Sequence, residues 1–67
     1  MSYETFKSRI SRIAKKTGMS AVFNHDADTG QHYARCGDVV FKGNETSLKV
    51  QVRWGSGHTA HTNLAEV

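Results

Sequence analysis

The segment from residue 48 to residue 54 constrains the fold most strongly, because apolar and polar side chains alternate there without a break. A period of two residues predicts a β-strand with one buried face. The apolar set that we expect to point into the core is Leu48, Val50, Val52 and Trp54. The residues between them would point to the other side of the sheet. The alternation therefore predicts a central strand on which the core is built.

A helix is predicted for residues 2–17, ahead of all strands. Its apolar side chains recur at spacings of three and four residues, which gives a stripe about 100° wide on a helix. The members of this stripe are Tyr3, Phe6, Ile10, Ile13 and Ala14. Ser2 is a suitable N-cap, and Gly18 is placed for the left-handed conformation that commonly ends a helix.

Turn signals recur from residue 26 onward at intervals of roughly eight to twelve residues, which is typical of an antiparallel meander. The predicted strands are 20–25, 31–36, 39–42, 48–54 and 58–64. Gly37 and Asp38 fit a two-residue hairpin turn. The predicted fold class is therefore α+β, with one N-terminal helix packed on an antiparallel meander sheet of four or five strands. We expect a single domain over residues 1–67.

The predicted core has ten members: Phe6, Ile10, Ile13, Phe23, Val39, Phe41, Leu48, Val50, Val52 and Trp54. A chain of 67 residues buries only about 60% of the surface that its unfolded form exposes, so its stability margin is expected to be small. The single cysteine, Cys36, rules out an intramolecular disulfide. Self-association would compensate for a small core, and we therefore expect a homodimer.

The balance of charge is basic, with nine Lys and Arg residues against six Asp and Glu residues and an isoelectric point near 9.4. An isoelectric point above about 9 is the first indication of a nucleic-acid partner. A net charge of +3 also lies inside the range of about 2–8 that keeps a small domain in solution. Charge alone therefore does not choose between these interpretations.

The sequence gives no indication of a membrane segment. No apolar run approaches the roughly 18 residues of a transmembrane helix. The first residues lack the basic region and apolar core of a signal peptide. We expect a cytoplasmic protein with no membrane partner.

Six basic residues are the candidate nucleic-acid-binding residues. Four lie on the predicted helix, away from its apolar stripe, and two lie on the polar side of the alternating strand: Arg9, Arg12, Lys15, Lys16, Lys49 and Arg53. Cations in such numbers attract phosphate groups. The alternative interpretation is an ordinary solvated helix face and the water-facing side of an antiparallel sheet.

Residues 13–20 resemble the first helix and turn of a helix-turn-helix DNA-binding domain, in which Ala, Gly and a following Ser recur at similar offsets. That resemblance would imply a recognition helix beginning near Ser20. The residues that follow, 21–30, favour a strand and then a turn, and they supply no base-reading side chains at helical spacing. The chain therefore departs from the pattern where DNA recognition would lie.

Five residues could bind a metal. They are Cys36 and the four histidines, His25, His32, His58 and His61. Their spacing lacks the tight pair of ligands that zinc modules carry. We expect scattered surface histidines, no metal and no cofactor. A short chain with one helix also offers little depth for a pocket that excludes water, so we do not expect an enzyme.

Two functions remain. The first is a small basic binding module that engages nucleic acid through backbone charge. The alternative is an effector or inhibitor that binds a larger protein partner, of the kind that phages and other mobile elements encode. Nucleic-acid binding predicts that the helix cations, Lys49 and Arg53 merge into one stripe, whereas their placement on opposite sides would favour a protein partner.

Overall fold

A computed structural model of the protein describes the backbone of residues 1–63 and the side chains of residues 1–61. One helix is followed by a five-stranded antiparallel sheet whose spatial order equals the chain order. The elements are α1 (Tyr3–Thr17), β1 (Ala21–Asp26), β2 (Gln31–Cys36), β3 (Val39–Asn44), β4 (Lys49–Arg53) and β5 (Thr59–Asn63). The predicted α+β meander with an N-terminal helix is confirmed, and its sheet has five strands.

Helix α1 begins and ends where its capping residues predict. The Ser2 side chain accepts a hydrogen bond from the Thr5 amide at 3.2 Å, which satisfies one of the free N–H groups of the first turn. Gly18 has a φ of 71°, a left-handed conformation that glycine adopts without the steric cost of a Cβ atom. The amide of Met19 then donates to the Ala14 carbonyl at 2.9 Å and closes the helix end.

The hairpin between β2 and β3 fixes the register of the middle of the sheet. Gly37 has a φ of 62°, as a two-residue hairpin turn requires at this position. Cys36 and Val39 face each other across the turn, and the remaining pairs follow in antiparallel order. β3 extends to Asn44, two residues beyond the prediction. Leu64, the predicted last residue of the final strand, lies outside the described residues.

The core lies between α1 and one face of the sheet, and its side chains come from the helix stripe and from alternate strand residues. Its buried apolar members are Phe6, Ile10, Ala14, Ala34, Cys36, Phe41, Val50 and Val52. Partly buried side chains that pack against them include Ile13, Phe23 and Val39. Eight of the ten predicted core residues are therefore buried in this layer or pack against it.

The predicted core positions Leu48 and Trp54 are wrong. Leu48 is 67% exposed and Trp54 is 40% exposed. Both residues lie just outside β4, which covers only the five residues between them. Trp54 is already the first residue of the following turn, because its carbonyl accepts a hydrogen bond from the Gly57 amide at 2.9 Å. The expectation of a central strand is also wrong, since β4 is fourth in the sheet and β3 is in the middle.

Gly43 on β3 allows the helix to approach the sheet closely. A Cβ atom at this residue would lie 3.0 Å from the Phe6 ring, closer than side chains ordinarily pack. Across the ladder, Gly43 faces His32 on β2. The missing side chain thus leaves room for two buried rings at one end of the core.

Candidate functional site

The face of the sheet that points away from α1 carries a regular array of side chains, which we call the open face. The pairing of the strands aligns the outward residues in rows that cross the sheet. One row contains Val22, Arg35, Val40, Arg53 and Thr59. The next row contains Asn24, Tyr33, Lys42, Gln51 and His61. Neighbours within such a row lie about 5 Å apart at their Cβ atoms, so they can act together on one ligand.

The open face is strongly basic. It carries four exposed cations: Arg35, Lys42, Lys49 and Arg53. Among the strand residues that the structure describes, Asp26 at the end of β1 is the one acidic residue on this face. Within residues 1–61, no carboxylate lies within ion-pair distance of these four cations. Their charge is therefore available to a ligand.

Two of the cations border a depression of about 500 Å³ on the open face. Its lining residues are Val40, Lys42, Gln51, Arg53, Gly57 and Thr59. Ammonium, guanidinium, amide and hydroxyl groups are all hydrogen-bond donors, and the first two are cationic. Such a lining suits an anionic group with several oxygen atoms, such as a phosphate.

A second, smaller depression of about 180 Å³ lies beside the first and shares Val40 with it. Its lining is almost entirely apolar, and the residues that line it include Val22, Tyr33, Arg35 and Val40. The Tyr33 hydroxyl donates a hydrogen bond to the Gln31 side chain. The open face thus combines a basic and an apolar recess.

The basic residues of α1 lie on the other side of the molecule. Arg12, Lys15 and Lys16 are exposed on the helix surface that faces away from the buried stripe. Arg9 is partly buried and lines a shallow groove along the helix together with Glu4. The helix and the core layer separate this surface from the open face.

The six predicted nucleic-acid-binding residues therefore fall into two sets. Lys49 and Arg53 lie on the open face, whereas the four helix cations do not join them. The expected single stripe is not formed. The sequence analysis also missed Arg35 and Lys42. Phe41 was predicted to point inward, so the strand alternation already placed Lys42 outward, and the hairpin register would have added Arg35.

The expectation of scattered surface histidines is wrong for two of the four. His32 is fully buried, and its ring lies 5.0 Å from that of His25 and 5.4 Å from that of Tyr3. The Nε2 atom of His32 lies 2.9 Å from the Met1 carbonyl oxygen. A carbonyl only accepts hydrogen bonds, so Nε2 carries the proton. These rings form part of the packing between α1 and the sheet.

The other side chains considered as metal ligands lie apart from this pair. Cys36 is buried at the opposite end of β2 from His32. His58 packs against Trp54, with ring centroids 5.3 Å apart. Within the described part of the chain, no group of three or more His, Cys, Asp or Glu side chains could hold a metal ion.

No protein-family model, curated protein or solved structure matches the chain. Over the described residues, no helix has the length and apolarity that are needed to cross a membrane.

Proposed function

We propose that the protein is a small non-enzymatic binding module that holds a nucleic acid on its open face through contacts to the phosphate backbone. The observation that supports this function is the charge of that face, where four exposed cations accompany one carboxylate among the described strand residues. Phosphate contacts dominate the affinity of nucleic-acid-binding proteins, because each contact releases condensed counterions.

The predicted helix residues are not part of this proposed site. Lys49 and Arg53 are retained, and Arg35 and Lys42 take the place of Arg9, Arg12, Lys15 and Lys16. With two to four phosphate contacts, we expect a dissociation constant in the micromolar range or weaker at physiological salt, on the order of non-specific binding. Phosphate contacts carry no base information, so different sequences should bind with similar affinity.

A larger protein partner is the second candidate. The separation of the two basic surfaces favours it, since a nucleic acid on the open face would not reach the helix cations. The open face would then bind an acidic surface of the partner. Salt would weaken such a protein complex as well. In this case the protein would not bind a nucleic acid.

The test is a fluorescence anisotropy titration of a labelled oligonucleotide at several salt concentrations. For a single strand, the logarithm of the association constant falls with the logarithm of salt by about 0.7 per phosphate contact. Replacing Lys42 and Arg53 by Gln should therefore reduce the slope by about 1.4. The matched control replaces Arg12 and Lys15 by Gln, which removes the same charge from the helix and should leave the slope unchanged.

Two outcomes would contradict the proposal. The first is a reduced salt slope in the Arg12 and Lys15 control with an unchanged slope in the Lys42 and Arg53 variant, which would indicate that the nucleic acid binds the helix. An absence of binding by the wild type at low salt would exclude a nucleic-acid ligand and favour the protein partner.

A further inference from the structure

We infer that the ligand of the open face is a single strand, with a base beside Tyr33 and the adjacent backbone beside Lys42 and Arg53. This inference rests on the proposed function and adds to it the class of nucleic acid. Three features of the open face support it: the width of the sheet, the pairing of its two recesses and the placement of Tyr33.

The width of the sheet excludes insertion into a duplex groove. Neighbouring strands lie about 4.8 Å apart, so the first and fifth strands of the sheet are separated by about 19 Å. The major groove of B-DNA is about 12 Å wide and admits a helix or a two-stranded ribbon. A duplex could therefore touch this face only with its phosphates, while its bases would stay hidden.

The two recesses match the two chemically different parts of a nucleotide. The basic recess presents Lys42 and Arg53, which suit a phosphate, and the apolar recess lies on the side of β2 and β1. They meet at Val40, so a ligand that crosses the strands can fill both at once. Only a single strand can turn an unpaired base into the second recess while its phosphates stay in the first.

Among the open-face residues that the structure describes, Tyr33 is the one Phe, Tyr or Trp, and it is positioned to bind a base. It lies directly across the ladder from Lys42, so a base on the ring would place its phosphate near the ammonium group. Stacking on an aromatic ring tolerates every base, which agrees with a site that does not read sequence.

The first experiment compares a fluorescently labelled oligothymidine strand with a duplex of equal length, titrated with the wild-type protein at one salt concentration. We expect tighter binding of the single strand. Equal or tighter binding of the duplex would overturn the inference and leave the proposed function standing. Binding of neither would overturn the proposed function, and this inference with it.

The second experiment replaces Tyr33 and repeats the single-strand titration across salt concentrations. Tyr33→Leu should weaken binding about tenfold, the effect of losing one stacked base, and should leave the salt slope unchanged. Tyr33→Phe keeps the ring and should bind as the wild type does. An unchanged affinity in Tyr33→Leu would overturn the inference. If that variant does not fold, the strand and duplex comparison decides alone.

Discussion

The Nε2 atom of His32 lies 2.9 Å from the carbonyl oxygen of Met1, so a fully buried side chain of β2 fixes the residues that lead into α1. His32 also packs against Phe6 from the helix, with ring centroids 5.4 Å apart. The helix is therefore attached to the sheet at its N-terminal end by a hydrogen bond as well as by apolar packing.

Replacing His32 by Ala should lower the free energy of unfolding by about 3 kcal/mol, since it opens a cavity and leaves a carbonyl without its donor. Urea denaturation measures the loss. The matched control is His58→Ala, at an exposed histidine, which should cost about 1 kcal/mol or less. Equal costs for the two variants would show that His32 does not hold the helix on the sheet.

Replacing Gly43 by Ala should destabilise the fold by about 1–3 kcal/mol, because the added Cβ atom would lie 3.0 Å from the Phe6 ring. A double-mutant cycle with Phe6→Leu tests the cause. If the ring is what the new methyl group meets, the double variant should be more stable than the sum of the two single costs predicts. Strict additivity would place the strain elsewhere.

Replacing Trp54 by Ala should cost only about 1 kcal/mol, because this side chain is 40% exposed and its ring contact is with His58. The buried Phe41 provides the comparison, and Phe41→Ala should cost about 3–5 kcal/mol. Chemical denaturation of both variants gives the two values. A cost near 3 kcal/mol for Trp54→Ala would support the core position that the alternating pattern suggested.

Local signals explain why much of the fold is predictable from the sequence. The helix is bounded by Ser2 and Gly18, which act on the nearest backbone groups, and both of its ends agree with the prediction. The hairpin turn at Gly37 sets the C-terminal end of β2 in the same way. Alternation alone could not show that β4 begins after Leu48 and ends before Trp54, or that both side chains are exposed, because burial depends on where α1 lies over the sheet.

The candidate site was only half predictable for a related reason. Lys49 and Arg53 belong to the one strand whose alternation is complete, so their outward direction was clear. Arg35 and Lys42 lie on the strands predicted as 31–36 and 39–42, which are shorter than the predicted 48–54, and there a shift of one residue would reverse every side chain. The separation of the helix cations from the sheet cations is a property of how the two layers pack, which no single segment encodes.

Lysine footprinting tests the central claim most directly, since it needs no substitution. The lysines divide into Lys42 and Lys49 on the open face and Lys7, Lys15 and Lys16 on the helix. The protein is treated with an amine-reactive reagent in the presence and absence of an oligothymidine strand at low salt, and the modified residues are identified by mass spectrometry. The account predicts that the strand protects Lys42 and Lys49 and leaves Lys15 and Lys16 reactive. Protection of Lys15 and Lys16 with Lys42 and Lys49 still reactive would contradict it.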